Sequence, residues 1–253
     1  MSRANSTADR AIEILLMFSD EHPTITASSV AERFGMPRST TYRYLSSLRS
    51  LGLIVDAEES TFRLGPRIFE LARVARRGYS ILKLAEPELM KLREATGETV
   101  LMTQLGSSGI SVLECLEGPG PMRISYSRGH VLPTPATATA KVLLAFGEPR
   151  VMQSLLKRRR FDKYTDRTIV DPKQIEQELQ QVRQQGYAIN RDEVDSGVSA
   201  VAAPIATTGG AVKHAVSLAM PSFRMTDEKL PGYVKEVKRT ADAISSTLLE
   251  YDV

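Results

Sequence analysis

The chain has 253 residues, 42% of them apolar and 25% charged, with a formal net charge of +3; that is long for one core, comfortable for two domains, and too apolar for general disorder. A single cysteine, Cys115, excludes an internal disulfide framework and fits a reducing compartment. No apolar run approaches the ~20 residues that span a bilayer, and the segment MSRANSTADRA lacks the apolar stretch of a secretory signal, so a cytoplasmic protein with no membrane partner is expected.

In chain order, Ser6 with Asp9 three residues later makes a capping arrangement for a first helix, ADRAIEILLMF, with Ile12, Leu15, Leu16 and Phe18 on one face. His22-Pro23 ends it. Thr26 can cap a second helix, ASSVAERF, which closes at Gly35, where the missing Cβ permits a left-handed turn. Met36-Pro37 leads into a third helix that runs to about Leu51 and closes at Gly52. Two short helices across a tight glycine turn predict a helix-turn-helix unit. LIV and FRLG around the polar DAEEST then predict a β-hairpin, the wing of a winged helix. Its tip is acidic (Asp56, Glu58, Glu59), which leaves Arg63 and the hairpin ends as backbone contacts. From Pro66 to about Arg77 a helical stripe of Ile68, Leu71, Ala72 and Ala75 predicts a linker helix with a share in a dimer contact.

The third helix carries the most information. Residues 33–55 hold Arg33, Arg38, Arg43 and Arg49 and no acid. Residues 1–78 hold eleven arginines, no lysine and nine acids. Arginine suits bidentate contact with phosphate and guanine better than general solubility. Leu45, Leu48 and Leu51, with Thr41 or Tyr44, are expected to point inward. The candidate DNA-binding residues are Arg38, Ser39, Thr40, Thr41, Tyr42, Arg43 and Ser47, where Arg38 or Arg43 can pair with guanine and the hydroxyls can meet phosphate or base edges. The competing reading is an ordinary solvated helix face.

A second domain follows. Residues 80–95 predict an amphipathic helix kinked or broken at Pro87. TVLMTQLG, GISVLECLE and PMRISYS are strand-like runs, with Cys115 a buried strand residue. Helices follow over about 137–146, about 149–156, and PKQIEQELQQVRQQ, capped by Asp171 with Pro172 in its first turn. Strands near YAINR, SAVAAPIA and AVKHAVSLAM and a helix from about Asp227 to Tyr251 complete an α+β domain with a largely antiparallel sheet. The segment LPTPATATAKVLLA opens a helix with small residues, which lets a ligand approach backbone N–H groups that suit a carboxylate. Small residues also serve close helix-to-sheet packing. From strand position, Met102 and Tyr126 are candidate walls of a binding site.

Over essentially its whole length the chain resembles transcriptional regulators of the IclR family. The resemblance rests on RAIEIL, MPRSTTYRYLSSLRSLGLI and FRLGPRIFELA, and further on EPELMKLREATGETVLM, LPTPATATAKVLLA and GYAINRDEVDSGVSAVAAPI. It implies a winged helix-turn-helix domain (1–65), a linker helix (66–78) and a GAF/PAS-like effector-binding and oligomerisation domain (79–253). It also implies operator double-stranded DNA as partner, a small organic or aromatic acid as effector, and assembly as a homodimer or a dimer of dimers. Carried over by motif position, the effector-binding residues are Leu132, Ala138, Thr139, Asn190, Ala200, Ser217 and Ala219. Asn190, Thr139 and Ser217 are expected to orient a polar ligand. The family often has histidine where Pro135 stands and glycine where Ala140 stands, so the pocket entrance is expected to differ.

Enzyme readings find little support. His22, His130 and His214 are scattered, with no HExxH or Cys/His metal spacing, and no GxSxG elbow, P-loop or GxGxxG occurs at a strand-to-helix junction. No metal and no cofactor is expected. RDEVDSG reads as a solvated turn or a carboxylate satisfying nearby backbone. The leading expectation is an effector-responsive repressor; the alternative is an architectural DNA-binding protein without a small-molecule effector.

Overall fold

The computed structural model describes residues 7–19, 21–78, 80–107, 109–157, 160–207 and 212–251, with backbone alone at 75–78 and 80. The expected cap Ser6 and the Ala75 side chain lie outside the described residues. The chain separates into two compact units, Met1–Tyr79 and Ser80–Val253.

The first unit runs α1 (Thr7–Leu15), β1 (Thr24–Thr26), α2 (Ala27–Phe34), α3 (Arg38–Ser50), β2 (Ile54–Asp56), β3 (Thr61–Leu64) and α4 (Arg67–Gly78). Ile14, Ile25, Val30, Leu45, Leu48, Ile54 and Phe62 form its core. Thr26 caps α2 through a full capping box: its hydroxyl accepts from the Ser29 N–H at 3.0 Å, and Ser29 Oγ accepts from the Thr26 N–H at 3.1 Å. Gly35 closes α2 in the left-handed region, with φ 60°, and its N–H meets the Ala31 and Glu32 carbonyls. The expected hairpin forms, and β1 adds to it, giving a three-stranded antiparallel sheet in the order β1-β3-β2.

Four apolar positions depart from the helical reading. Ile14 is fully buried, whereas Ile12 and Leu16 are 56% and 75% exposed, because α1 stops at Leu15 and its inward face centres on Ile14. Leu51 is exposed because it caps α3 beyond the last turn. On α4, Leu71 stands exposed beside Phe69 and Val74.

The second unit runs α5 (Ser80–Thr96), β4 (Thr99–Gly106), β5 (Gly109–Leu116), β6 (Val131–Leu132), α6 (Ala138–Phe146), α7 (Pro149–Leu156), α8 (Pro172–Gln185), β7 (Ala188–Arg191), β8 (Val198–Ile205), β9 (His214–Pro221) and α9 (Leu230–Glu250). Its six strands pair antiparallel throughout, in the order β6-β5-β4-β9-β8-β7. Period-two alternation gives the sheet two buried faces. Val100, Met102, Val201, Leu218 and Met220 meet α5 and α9, while Leu101, Ala202, Ala215 and Ala219 belong to the core on the side of α6 and α8.

α5 continues past Pro87, so the helix does not break there. PMRISYS forms no strand, and side chains rather than a neighbouring strand hold its backbone. The Thr99 hydroxyl donates to the Ile124 carbonyl at 2.6 Å and Arg224 donates to the Met122 carbonyl at 3.0 Å. Cys115 lies on β5 half-buried, and burial raises its thiol pKa above the ordinary value. Among the described residues no helix is long and apolar enough to cross a membrane.

Candidate functional site

The candidate residues gather on an exposed helix face in the first unit and around a cavity in the second. On α3 the inward row is Thr41, Leu45 and Leu48. Arg38, Ser39, Tyr42, Arg43 and Ser47 are exposed and Thr40 is half-exposed. Thr41, expected among the DNA contacts, is fully buried, and its hydroxyl donates to the Pro37 carbonyl at 3.2 Å. Four-residue spacing places it above Leu45 on the core face, so it packs the helix and touches no groove.

The arginines are not equivalent. Arg49 is paired with Asp56 at 3.0 Å, which ties the end of α3 to the wing. Arg38 and Arg43 have no carboxylate partner among the described residues, so their guanidinium groups face solvent available for an outside acceptor. The N-cap of α3 is Pro37, which supplies no side-chain acceptor, and the first-turn N–H groups are therefore available to an anion such as phosphate. An exposed helix face with unpaired guanidinium forks, hydroxyls and a free N-terminus can meet phosphate and base edges.

In the second unit, Leu101, Tyr126, Leu132, Thr137, Ala138, Thr139, Asn190, Val194, Asp195, Val198, Ala200, Ser217 and Ala219 line one cavity. Eight of the nine candidate effector residues therefore share a wall: Tyr126, Leu132, Ala138, Thr139, Asn190, Ala200, Ser217 and Ala219. Met102 does not. It is fully buried against α5 and α9 on the opposite face of the sheet, and its neighbour Leu101 takes the place in the cavity. The signal for Leu101 was present in the ladder: it pairs with Ser217, and paired strand residues share a face.

Thr137, Val194, Asp195 and Val198 were missed as well. Thr137 is the N-cap of α6 and accepts from the Ala140 N–H at 3.2 Å. This leaves the N–H groups of the cavity residues Ala138 and Thr139 without an acceptor inside the helix. Val194 and Asp195 come from the β7–β8 turn, whose charged sequence reads as solvated, and Val198 opens β8. No lysine, arginine or histidine is among the lining residues, and the one charged group is Asp195.

The buried polar groups of the wall are engaged with each other. The Thr139 hydroxyl donates to Ser217 Oγ at 3.3 Å. The Asn190 amide nitrogen donates to the Ala136 carbonyl at 3.0 Å, and its oxygen accepts from the Glu193 N–H at 3.1 Å. Burial, and then the Asp195 charge, raise the Tyr126 pKa above the usual phenol value. Free space within these walls is about 30 Å3, room for about two waters. The RDEVDSG turn is structural: Asp192, at φ 60°, accepts from the Gly197 N–H at 2.8 Å, and Glu193 is buried. Among the described residues no group of histidine, cysteine and acidic side chains could hold a metal ion.

Known proteins share this architecture. The profile described as "Bacterial transcriptional regulator IclR C-terminal" matches residues 75–246, and the one described as "IclR helix-turn-helix domain" matches residues 7–57. The DNA-binding transcriptional repressor YiaJ of Escherichia coli is 29% identical over 241 residues, which is 94% of this chain and 84% of that protein. A crystal structure of an IclR transcriptional regulator from Silicibacter sp. superposes with a TM-score of 0.85 at 26% identity, covering 96% of both chains. An IclR homologue from Microbacterium hydrocarbonoxydans, complexed with 4-hydroxybenzoate, shares the fold with a TM-score of 0.78 at 23% identity, over 96% of this chain and 99% of its own. With both profiles matched in order and an antiparallel sheet behind a helix-turn-helix, the chain belongs to the IclR family of bacterial transcriptional regulators.

Proposed function

We propose that this protein is an operator-binding repressor whose affinity for DNA is set by a small monocarboxylic acid held in the cavity at the start of α6. The carrying observation is one chain that joins an exposed α3 face, where Arg38 and Arg43 have no carboxylate partner among the described residues, to a second unit whose cavity gathers seven residues carried over from the family's pocket, with Tyr126 beside them. Arg38, Ser39, Thr40, Tyr42, Arg43 and Ser47 read or position the operator. A dimer, alone or doubled, sets two α3 helices one turn of DNA apart or a multiple of it. The exposed Phe69, Leu71 and Val74 of α4 support pairing with a second copy.

The acid's orientation follows from charge. Its carboxylate lies at the unsatisfied N–H groups of Ala138 and Thr139, where the helix dipole favours an anion, and away from Asp195. A hydroxyl at its far end meets Tyr126 and Asp195. A second carboxylate there is repelled, so dicarboxylates bind less well than monocarboxylates of the same length. The 4-hydroxybenzoate named for the Microbacterium homologue has this build. Differential binding of the acid to the DNA-bound and free forms need supply only about 1–3 kcal/mol.

The test is footprinting at physiological salt with and without a panel of aromatic and aliphatic acids, alongside thermal shift. A protected sequence whose affinity changes with one acid supports the reading; protection without sequence preference ends it. The small free space of about 30 Å3 favours a second reading, an architectural DNA-binding protein whose second unit serves assembly alone. That reading requires DNA binding and no thermal shift with any acid.

A further inference from the structure

Lys141 is an anomaly in ATAKVLLA, a lone charge in an apolar helical run, and it is 4% exposed. Its ammonium donates to Glu193 Oε1 at 2.6 Å, to Glu178 Oε1 on α8 at 3.0 Å and to the Ile189 carbonyl on β7 at 3.1 Å. Glu193 sits in the turn between β7 and β8 and is itself buried; its second carboxylate oxygen, Oε2, has no partner among the described residues. A pocket holding about 10 Å3 of free space lies beside Lys141, Glu178 and Glu193, with Pro135 and Ala136, just before α6, as its other wall. Val194 and Asp195, the next two residues after Glu193, line the larger cavity.

Any acid of benzoate size needs more space than the cavity holds, so one of its walls must move. The sheet wall (Leu101, Ala200, Ser217, Ala219) is fixed by backbone ladders on β4, β8 and β9. The α6 wall is fixed by burial of every residue from Ala138 to Ala145. The β7–β8 turn is held differently. Backbone bonds from the Asp192 N–H to the Val198 carbonyl, from the Val198 N–H to the Asp195 carbonyl and from the Ser222 N–H to the Gly197 carbonyl close it and tie it to the end of β9. Side chains supply its links to the α6 side. Asn190 holds the Glu193 N–H, the Thr168 hydroxyl holds the Glu193 carbonyl at 2.7 Å, and the Thr165 hydroxyl holds the Asp192 carbonyl at 2.6 Å. Lys141 supplies the charged link from this turn to α6.

From this we infer that the Lys141–Glu193 pair is the latch of the cavity's movable wall, positioning Val194 and Asp195 and letting the turn swing from α6 when a ligand enters. Its bearing on effector binding rests on the function proposed above; the latch itself is tested without any effector. Hydrogen exchange of the full-length protein, read by mass spectrometry, follows the amides of 193–198 against those of β9 and α9. Lys141→Met should speed exchange in the turn on the order of tenfold while β9 and α9 stay within about twofold. Glu193→Gln, which keeps shape and removes charge, should move the turn in the same direction. Glu178→Gln, whose carboxylate is partly exposed, should move it least. Exchange in the turn that is unchanged in both Lys141→Met and Glu193→Gln, or that rises only in step with β9 and α9, overturns the latch. If Lys141→Met does not fold, Glu193→Gln alone decides. Failure of every acid to bind wild type would sink the proposed effector and leave the exchange result standing.

Discussion

The face of α3 and the cavity beside α6 are built by opposite rules. On α3 the polar groups stand in water, and Arg38 and Arg43 find no carboxylate within the described residues. In the cavity, Thr139 meets Ser217, and Asn190 meets both Ala136 and Glu193. The difference follows from solvation: an exposed guanidinium is satisfied by water, whereas a buried amide or hydroxyl without a partner is costly. The helix can therefore receive DNA without undoing anything in its own unit. A ligand entering the cavity would have to exchange these internal contacts for its own, and binding coupled in that way to a change of conformation shifts an equilibrium between two states.

This contrast can be broken or sharpened by substitution. The largest effect is expected at Met102, which packs on the α5 and α9 side: Met102→Ala should cost about 2–5 kcal/mol in chemical denaturation and leave unchanged the affinity for any acid the wild type binds. Leu101→Ala, one residue away on the cavity side, should alter that affinity. Matching behaviour of the two would erase the distinction between the sheet's faces. Next comes His214, buried on β9 with both ring nitrogens unpartnered among the described residues and its pKa lowered to about 4, first by burial and then by Lys213. The folded protein keeps this ring neutral while the unfolded chain takes up a proton first. Its stabilising share is therefore full above the ordinary value of 6.5 and is lost as pH falls toward about 4. The loss amounts to roughly 3 kcal/mol at most. Thermal unfolding across that window should flatten in His214→Leu, and an unchanged slope would assign the acid sensitivity elsewhere.

Smaller effects are expected on the DNA side. Arg43→Ala should weaken operator binding by about 1–3 kcal/mol and relax sequence preference, measured by fluorescence anisotropy with the far-ultraviolet circular dichroism unchanged. A loss equal on all sequences would make Arg43 a phosphate contact. Arg49→Ala should change binding least, by less than about 1 kcal/mol, because its guanidinium already holds Asp56 at the surface.

What could be read from residue order alone divides along the same physical line. Caps and turns were legible at Thr26, Gly35 and Asp171 because local geometry demands particular residue types there. Helical spacing found Leu45 and Leu48 but left Thr41 open between core and groove, since a threonine suits either. The cavity wall was legible chiefly through the family resemblance, which supplied Leu132, Ala138, Thr139, Asn190, Ala200, Ser217 and Ala219, whereas strand position alone offered Tyr126 and Met102. Met102 for Leu101 is a one-residue error, and with period-two alternation one residue is a whole face. The Lys141–Glu193 pair was not legible: its partners lie 52 residues apart and meet only through the packing of α6 against β7 and β8. PMRISYS has a strand's alternation, yet the backbone partners it would need are supplied by Thr99 and Arg224.

Thr26 ends β1 and caps α2 at once, while β1 is bonded along β3. The hairpin and the helix pair are thus yoked at Thr26, in addition to the Arg49–Asp56 tie. A tilt of the wing would carry α2, and the α3 packed on it, through the same arc. Docking on a duplex then immobilises one preassembled body rather than two loosely joined ones, which lessens the entropy lost on association.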